Sequence, residues 1–387
     1  MLRSALFAFA ALSSVVNAAV TPVTRGRKAT TGKLTELDQV LVYQPAANYT
    51  DPRTLYARTL ELCDGTLLAT WENYSPEPPL VYFPIYESLD HGKTWSEVGR
   101  AEDQVYGFGL RYQPFLYELE QAFGDYPAGT ILLSGSAIPT NLSETNIELY
   151  ASRDKGRTWD FVSHIAHGGV AVPNNGETPV WEPFIYVYED TLIVYYSDQR
   201  DANYGQKLVH QETTDLVNWS DVIDDVAHTP YTDRPGMPTV SKLPNGKFIY
   251  TYEWGGNELS ESYSFPVTYR IADDPRKFID ATDNYVNASG TIPRGSPYNV
   301  WSSVGGENGS IIVSSGTNQE LFINRALGDP DAWEKYEISQ PTAYTRSLRV
   351  LAEDNDYLIV AGGGVLPPST TNNVTLSIYK LTELLGL

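Results

Sequence analysis

The sequence predicts an all-β fold, a six-bladed β-propeller built from four-stranded antiparallel blades. One observation is a repeated turn, because SLDHGKTW at 88–95 and SRDKGRTW at 152–159 are near copies of each other. Another is a period of about 50–65 residues, at which a turn followed by an apolar run recurs along the whole chain. The third is that no stretch shows the apolar spacing of a helix. Short strands in a regular repeat are typical of radial β architectures.

The repeated turn has a clear physical logic. Both copies contain Ser-x-Asp-x-Gly-x-Thr-Trp, in which the aspartate accepts hydrogen bonds from backbone N–H groups, the glycine takes a positive φ and the tryptophan covers the turn. Weaker versions follow at Asp215, Asp274 and Asp329, and each ends on an aromatic residue. We therefore expect Asp90 and Asp154 to have structural rather than catalytic roles.

Six turn pairs each lead into an apolar run, which we interpret as the second strand of a blade. These runs cover 64–71, 128–135, 189–198, 245–254, 308–316 and 354–363. A further apolar run precedes each turn pair and is expected to form the first strand. The segment DQVLVYQP around Val40 is expected to pair with the C-terminal run VTLSIYKL and so to close the ring.

The N-terminal residues predict export rather than a membrane anchor. Arg3 precedes an apolar stretch that ends on small residues near Ala18 and Ala19, which is typical of a signal peptide. We expect a signal peptide at 1–19, a disordered or propeptide segment at 20–33 and a single catalytic propeller domain at 34–387. Seven Asn-x-Ser/Thr sequons agree with secretion, and Cys63 as the only cysteine excludes an intramolecular disulfide.

The formal charge of −21 limits the partners of this chain. Binding to nucleic acid or to an anionic membrane begins with cationic groups that neutralise phosphates, so neither partner is expected. A neutral polysaccharide or oligosaccharide fits better, and we expect a monomer that acts on it. The five histidines form no metal-ligand pattern and no glycine-rich phosphate loop precedes a helix, so neither a metal nor a cofactor is expected.

Strand order selects the candidate catalytic residues. Because consecutive strands are antiparallel, the start of a first strand and the end of a second strand share one rim. Glu182 starts the first strand of blade three and Glu253 ends the second strand of blade four, so both carboxylates are expected on one side of the central funnel. Hydrolysis of a glycosidic bond uses such a pair. The alternative is two surface glutamates in a chain with 48 acidic residues.

Other residues at the same rim have side chains that bind sugars by hydrogen bonds or stacking. A strand-end arginine is a salt-bridge partner about as often as a ligand, so these residues are ranked below the glutamates. The candidate substrate-binding residues are Arg111, Trp181, Asp198, Arg200, Asn203, Trp254, Trp301 and Arg346.

The turn motif resembles the Asp-box of sialidase-like propellers over nearly all of the chain after residue 33. VWEPFIY around Glu182 and YTYEWGG around Glu253 resemble the catalytic segments of the fungal exo-α-1,5-L-arabinanases of glycoside hydrolase family 93. The resemblance implies a secreted, retaining enzyme that releases arabinobiose from the non-reducing end of linear arabinan. It also implies Glu182 as nucleophile, Glu253 as acid/base, and Tyr344 in PTAYTRSLR as a residue near the catalytic centre.

Two other functions stay open at this stage. A sialidase holds its substrate carboxylate with three arginines, which Arg58, Arg111 and Arg346 imitate, but YARTLEL stands where an Arg-Ile-Pro motif is usual and the second glutamate has no role. A non-catalytic propeller lectin repeats its aromatic pockets with each blade. Here the two Trp-Glu segments occur once each, which favours one central site.

Overall fold

The N-terminal end of the described chain lies against the first Asp-box turn. The structure, a computed structural model, describes residues 30–256 and 263–387. The predicted signal peptide and residues 20–29 of the expected propeptide segment lie outside them. Within residues 30–33, Thr31 N donates a hydrogen bond to Leu89 O, 2.7 Å away.

Each blade is a four-stranded antiparallel sheet whose strands follow one another along the chain, except in blade six. Blades one and two consist of β2 (Thr54–Glu61), β3 (Leu67–Asn73), β4 (Phe83–Ser88), β5 (Ser96–Ala101), β6 (Leu110–Glu118), β7 (Ile131–Ala137), β8 (Thr145–Ser152) and β9 (Asp160–Gly168). Blades three and four consist of β10 (Val180–Tyr188), β11 (Thr191–Asp198), β12 (Lys207–Thr213), β13 (Ile223–Val226), β14 (Arg234–Lys242), β15 (Phe248–Gly255), β16 (Val267–Ala272) and β17 (Asn284–Tyr285). Blade five consists of β18 (Tyr298–Ser302), β19 (Ser310–Ser314), β20 (Leu321–Asn324) and β21 (Trp333–Tyr336).

Blade six combines the two ends of the chain and closes the ring. It consists of β22 (Ser347–Val350), β23 (Tyr357–Gly362), β24 (Val374–Lys380) and β1 (Leu37–Tyr43), and a short helix α1 (Leu381–Leu384) follows β24. Leu37 pairs with Ile378 and Val40 with Leu376 in an antiparallel register. The predicted six-bladed propeller and its closure by the segment around Val40 are therefore confirmed.

The hydrophobic core lies between the blades. The second strands β3, β7 and β11 are buried along their whole length, because neighbouring blades cover both of their faces. The fourth strands lie at the outside, and β21 accordingly buries only Trp333 fully. This explains why the second strands have nearly continuous apolar runs, whereas an antiparallel sheet with one wet face alternates.

The Asp-box turns join the third and fourth strands, at the rim opposite the start of the first strands. Asp90 accepts hydrogen bonds from Thr94 N (2.9 Å) and Thr94 Oγ1 (2.6 Å). Trp95 Nε1 donates to the carbonyl of Gly92, whose φ is +87°. Asp154 accepts the same pair of hydrogen bonds from Thr158. The repeated motif thus stabilises a turn that is remote from the rim where the glutamates lie.

Replacement of Asp90 or Asp154 with alanine should lower the free energy of unfolding by about 1–2 kcal/mol, because the turn loses its capping acceptor. Turnover by the folded protein should not change, since the turn lies at the opposite rim. Chemical denaturation and kcat of each variant test this, with Asp221→Ala as a control at an exposed aspartate. A large fall in kcat with an unchanged melting temperature would contradict the structural role.

Candidate active site

A cavity of about 1080 Å³ opens at the rim where the first strands begin. All six blades contribute to its wall. Among the described residues its lining includes Leu55, Glu72, Tyr74, Tyr112, Gln113, Trp181, Glu182, Gln206, Arg234, Glu253, Tyr263, Phe265, Ser296, Tyr344 and Leu366. Aromatic rings and a few polar groups in a concave site are the usual features of a small-molecule or sugar site.

Glu182 lies in a β-bulge near the start of β10. The register of β10 on β11 shifts between Trp181 and Phe184, and Glu182 has a φ of +63°. The residue is 8 % exposed, and its carboxylate accepts hydrogen bonds from Ser197 Oγ (2.6 Å) and from Met237 N (2.7 Å) on blade four. The bulge turns this side chain toward the funnel, where the Met237 N–H of the next blade binds its carboxylate.

Glu253 approaches the same space from β15. It pairs in register with Gly236 of β14, and its Oε2 accepts a hydrogen bond from Ser296 N at 2.6 Å. A β-carbon at Gly236 would stand 3.4 Å from Glu253 Oε1 and 3.5 Å from Glu182 Oε2. The two carboxylates therefore face each other across a glycine, and a larger residue at this position would fill the space between them.

The environments of the two carboxylates differ in electrostatic terms. Burial raises the pKa of Glu253 to about 8, and repulsion by Glu182 adds to this, while the Ser296 N–H and Arg234 oppose it. Burial also raises the pKa of Glu182, but the Ser197 hydroxyl, the Met237 N–H and two arginines stabilise its charged form. Two neighbouring carboxylates with unequal hydrogen-bond partners have different pKa values, so one of them holds a proton while the other is charged. The arrangement favours a proton on Glu253 and a charge on Glu182.

Tyr344 lies beside this pair, in the segment before β22. Burial first, and then the negative charges of Glu182 and Glu253, raise its pKa well above the usual value. Its phenol therefore keeps its proton, which makes it a hydrogen-bond donor rather than a nucleophile at neutral pH. The ring packs edge-on against Tyr56, with 6.3 Å between the ring centroids.

Of the predicted substrate-binding residues, only Trp181 lines the cavity among the described residues. Arg111 is bound to Glu77 (3.0 Å), and Asp198 is paired with Arg200 (2.6 Å). The side chain of Asn203 donates to Asp201 at 3.0 Å. These groups lie at the predicted rim, but protein partners occupy them.

The remaining three predicted residues are also held outside the cavity. Trp254 stacks on His228, with 3.8 Å between the ring centroids, and Trp301 donates to a backbone carbonyl at 3.0 Å. Arg346 is fully buried and donates to the backbone carbonyls of five residues. The position of Arg346 therefore does not support a contact with substrate. Strand order was wrong about the rim for Trp301, which lies near the end of β18 and pairs with Ile311 near the start of β19, toward the opposite rim. At the cavity rim itself, side chains alternate between the faces of a strand, and only some of them face the funnel.

Sequence reasoning missed several polar residues of the cavity wall. Glu72 is 3 % exposed and accepts hydrogen bonds from Gln113 N (2.9 Å) and Tyr74 Oη (2.8 Å). Burial raises its pKa to about 7. Arg234 donates to Gln206 Oε1 at 2.9 Å and to Gln199 Oε1 at 3.1 Å. Alignment of the blades would have found Gln113, because it occupies in blade two the position of Glu182 in blade three.

Within residues 30–256 and 263–387, no group of three or more His, Cys, Asp and Glu side chains is placed to hold a metal ion. No helix there is long and apolar enough to cross a membrane.

Comparison with known proteins places this geometry in a family. Neither a protein-family model nor a curated protein sequence matches the chain. Among solved structures, the glycoside hydrolase family 93 α-L-arabinofuranosidase of Fusarium graminearum, in complex with arabinobiose, is 56 % identical with a TM-score of 0.89, over 90 % of this chain and 99 % of that chain. The α-L-arabinanase of Penicillium chrysogenum, complexed with arabinobiose, is also 56 % identical with a TM-score of 0.89, over 91 % of this chain and 100 % of that chain.

A more distant similarity concerns the fold alone. The NanB sialidase from Streptococcus pneumoniae is 11 % identical with a TM-score of 0.59, over 90 % of this chain and 71 % of that chain. The fold and the paired carboxylates define a glycoside hydrolase of the sialidase-like propeller class. The chain belongs to glycoside hydrolase family 93, as its identity to the Fusarium and Penicillium enzymes shows.

Ser197→Ala should raise the pKa of Glu182 further, because the charged carboxylate loses a hydrogen bond from a hydroxyl group. A carbon-13 NMR titration of labelled glutamate carboxyls measures this, with the signal assigned through Glu182→Gln. Ser134→Ala is the matched control, since Ser134 is equally buried and its hydroxyl has no partner among the described residues. An equal pKa of Glu182 in the Ser197 and Ser134 variants would contradict the role given to this hydrogen bond.

Proposed function

We propose that this enzyme hydrolyses the α-1,5 linkages of linear L-arabinan and releases arabinobiose from the non-reducing end, with retention of anomeric configuration. The observation that carries the proposal is the pair of carboxylates that face each other across Gly236 in one deep cavity. Two relatives with 56 % identity are described as an arabinofuranosidase and an arabinanase in complex with arabinobiose. The exo mode rests on the family resemblance.

The spacing of the carboxylates supports a double displacement. In retaining glycosidases the two carboxyl groups lie about 5–5.5 Å apart, and in inverting enzymes about 6.5–9.5 Å apart. Glu182 Oε2 and Glu253 Oε1 lie 3.5 Å and 3.4 Å from one point, so they are separated by at most about 7 Å. This upper limit reaches only the lower end of the inverting range, so the spacing is more compatible with direct attack by a carboxylate than with an intervening water molecule.

The hydrogen bonds of the two glutamates support a division of roles. Glu253, with a pKa of about 8, carries a proton at neutral pH and donates it to the departing glycosidic oxygen. Glu182, whose charge is stabilised by Ser197 and Met237, attacks the anomeric carbon and forms a covalent glycosyl-enzyme. Glu253, now ionised, takes a proton from water, and the oxygen of that water displaces Glu182 and restores both groups.

Tyr344 fits a supporting role in this scheme. Its protonated phenol lies close enough to both carboxylates for their charges to raise its pKa. A neutral donor beside the reacting centre stabilises charge on a carboxylate or on the sugar ring oxygen as it develops. The tyrosine of a sialidase acts as the nucleophile instead.

The alternative functions have less support in the structure. Among the described lining residues Arg234 is the only arginine, so a clamp of three arginines for a substrate carboxylate is not formed there. Arg58 lies under the Tyr56 ring at 4.0 Å, Arg111 is paired with Glu77, and Arg346 is buried. A lectin with one aromatic pocket in each blade is also disfavoured, since the sugar-binding features converge on one cavity.

Secretion is proposed on the basis of the N-terminal sequence and its seven sequons. When the full sequence, including its own N-terminal residues, is expressed in a secreting host, the protein recovered from the culture medium should begin at or after residue 19. Sequencing of its N terminus tests this, and retention inside the cells with residue 1 or 2 as the N terminus would contradict it.

Incubation with debranched arabinan should give arabinobiose as the only early product, because an exo-acting site releases one product size. Chromatography of the products at low conversion measures this, with a sialyl glycoside as the comparison substrate. A ladder of longer oligosaccharides would overturn the exo mode. Release of sialic acid without hydrolysis of arabinan would overturn the substrate class.

Alanine variants of the two glutamates should respond differently to azide. Glu253→Ala should remain active on aryl glycosides with good leaving groups, and azide should accelerate it and give a sugar azide with the substrate's anomeric configuration. Glu182→Ala should be nearly inactive, and azide rescue should invert the configuration, because azide then takes the place of the nucleophile.

Proton NMR of the sugar azides reads the configuration directly. The opposite pattern would exchange the two roles. Inversion by the wild-type enzyme would exclude the double displacement altogether.

A further inference from the structure

A two-step hydrogen-bond relay leads from Glu72 on blade one to Glu182 on blade three. Glu72 Oε1 accepts a hydrogen bond from Gln113 N at 2.9 Å, and Gln113 Oε1 accepts one from Glu182 N at 3.0 Å. We propose that Gln113, supported by Glu72, is a positioning residue that holds Glu182 in its reactive orientation. The proposal rests on the function proposed above, in which Glu182 attacks the sugar.

The backbone of Glu182 needs this partner because it lies in a bulge. Gln113 and Glu182 have φ values of +60° and +63°, and the strand register shifts at both positions. The extra residue of a bulge is left unpaired in the ladder. A residue with a β-carbon avoids this conformation unless its surroundings impose it. A buried N–H without an acceptor is also strongly disfavoured, so the Gln113 oxygen stabilises the bulged conformation.

A return of the strand to regular pairing would move the Glu182 side chain away from the funnel. A shift of one residue in a strand turns its side chains to the opposite face. The Gln113 bond therefore selects between a conformation with the carboxylate in the cavity and one without it. Its amide orientation is defined, since the Glu182 N–H only donates and must meet the amide oxygen.

Glu72 holds the backbone of Gln113 in place at the first step of the relay. Its side chain is almost fully buried and bridges the Gln113 backbone and the Tyr74 hydroxyl. The Gln113 N–H is itself the unpaired donor of a bulge. The carboxylate of Glu72 therefore stabilises the bulge of blade two, just as Gln113 stabilises the bulge of blade three. Three blades thus contribute to the orientation of one catalytic side chain.

Gln113→Met removes the acceptor oxygen and keeps the length of the side chain. We expect kcat on an aryl α-1,5-L-arabinobioside to fall by about 10- to 100-fold with KM nearly unchanged, because a small misplacement of a reacting group has an effect of this size. Gln340→Met is the control, because Gln340 is also buried and is hydrogen-bonded to Thr375 and Ser377, but lies outside the cavity. That variant should keep the wild-type kcat even if its melting temperature falls.

Gln113→Glu restores an acceptor oxygen and tests the contact itself. Its kcat should exceed that of Gln113→Met by at least about tenfold. The acidic limb of its pH profile should move to higher pH, because a neighbouring carboxylate raises the pKa of Glu182. In the same way, Glu72→Gln should retain more activity than Glu72→Met, since it keeps an acceptor for Gln113 N.

Several outcomes would overturn the relay. An unchanged kcat in Gln113→Met would show that the bond does not position Glu182, and a raised KM with unchanged kcat would make Gln113 a substrate contact only. If Gln113→Met does not fold, an unshifted acidic limb in Gln113→Glu would count against the proposal. Failure of the wild-type enzyme on both arabinan and the aryl substrate would instead refute the proposed function.

Discussion

The site depends on a constraint that recurs around the funnel. Near the cavity the backbone of five blades turns to a positive φ, and the N–H group of that residue needs an acceptor. In each case the preceding blade provides it, and the residues concerned are Tyr56, Gln113, Glu182, Met237 and Ser296. Glu182 and Glu253 are two of the acceptors. The carboxylates that carry the chemistry are thus also parts of the bonding between blades.

This double use explains how a charged group is tolerated in a buried place. A carboxylate removed from water loses much hydration, and only good hydrogen bonds compensate for it. The backbone N–H groups at Met237, in β14, and at Ser296, just before β18, are donors whose positions are fixed by the backbone rather than by a rotatable side chain. The donors that fix the position of each carboxylate also influence its pKa. Unequal sets of donors then give the two glutamates different affinities for a proton.

Closure of the ring gives this arrangement its rigidity. The pairing of β1 with β24 joins segments from the two ends of the chain, so blade six is completed as a four-stranded sheet by the N-terminal segment that leads into blade one. Because the acceptor on one blade serves the donor on the next, a displacement of any blade would disturb one or two of these bonds. Asp-box turns secure the opposite rim, which leaves the cavity rim free for residues that serve chemistry.

The sequence by itself determined the repeat, the strand order and the closure of the ring, because turn residues and apolar runs act locally and recur with a fixed period. It also placed Glu182 and Glu253 at one rim, since antiparallel order alone decides which strand ends lie together. Only the tertiary structure decided which rim residues face the cavity. Arg346 is buried and Glu72 lines the cavity wall, because each of them is held by hydrogen-bond partners from a neighbouring blade, which the local sequence does not reveal.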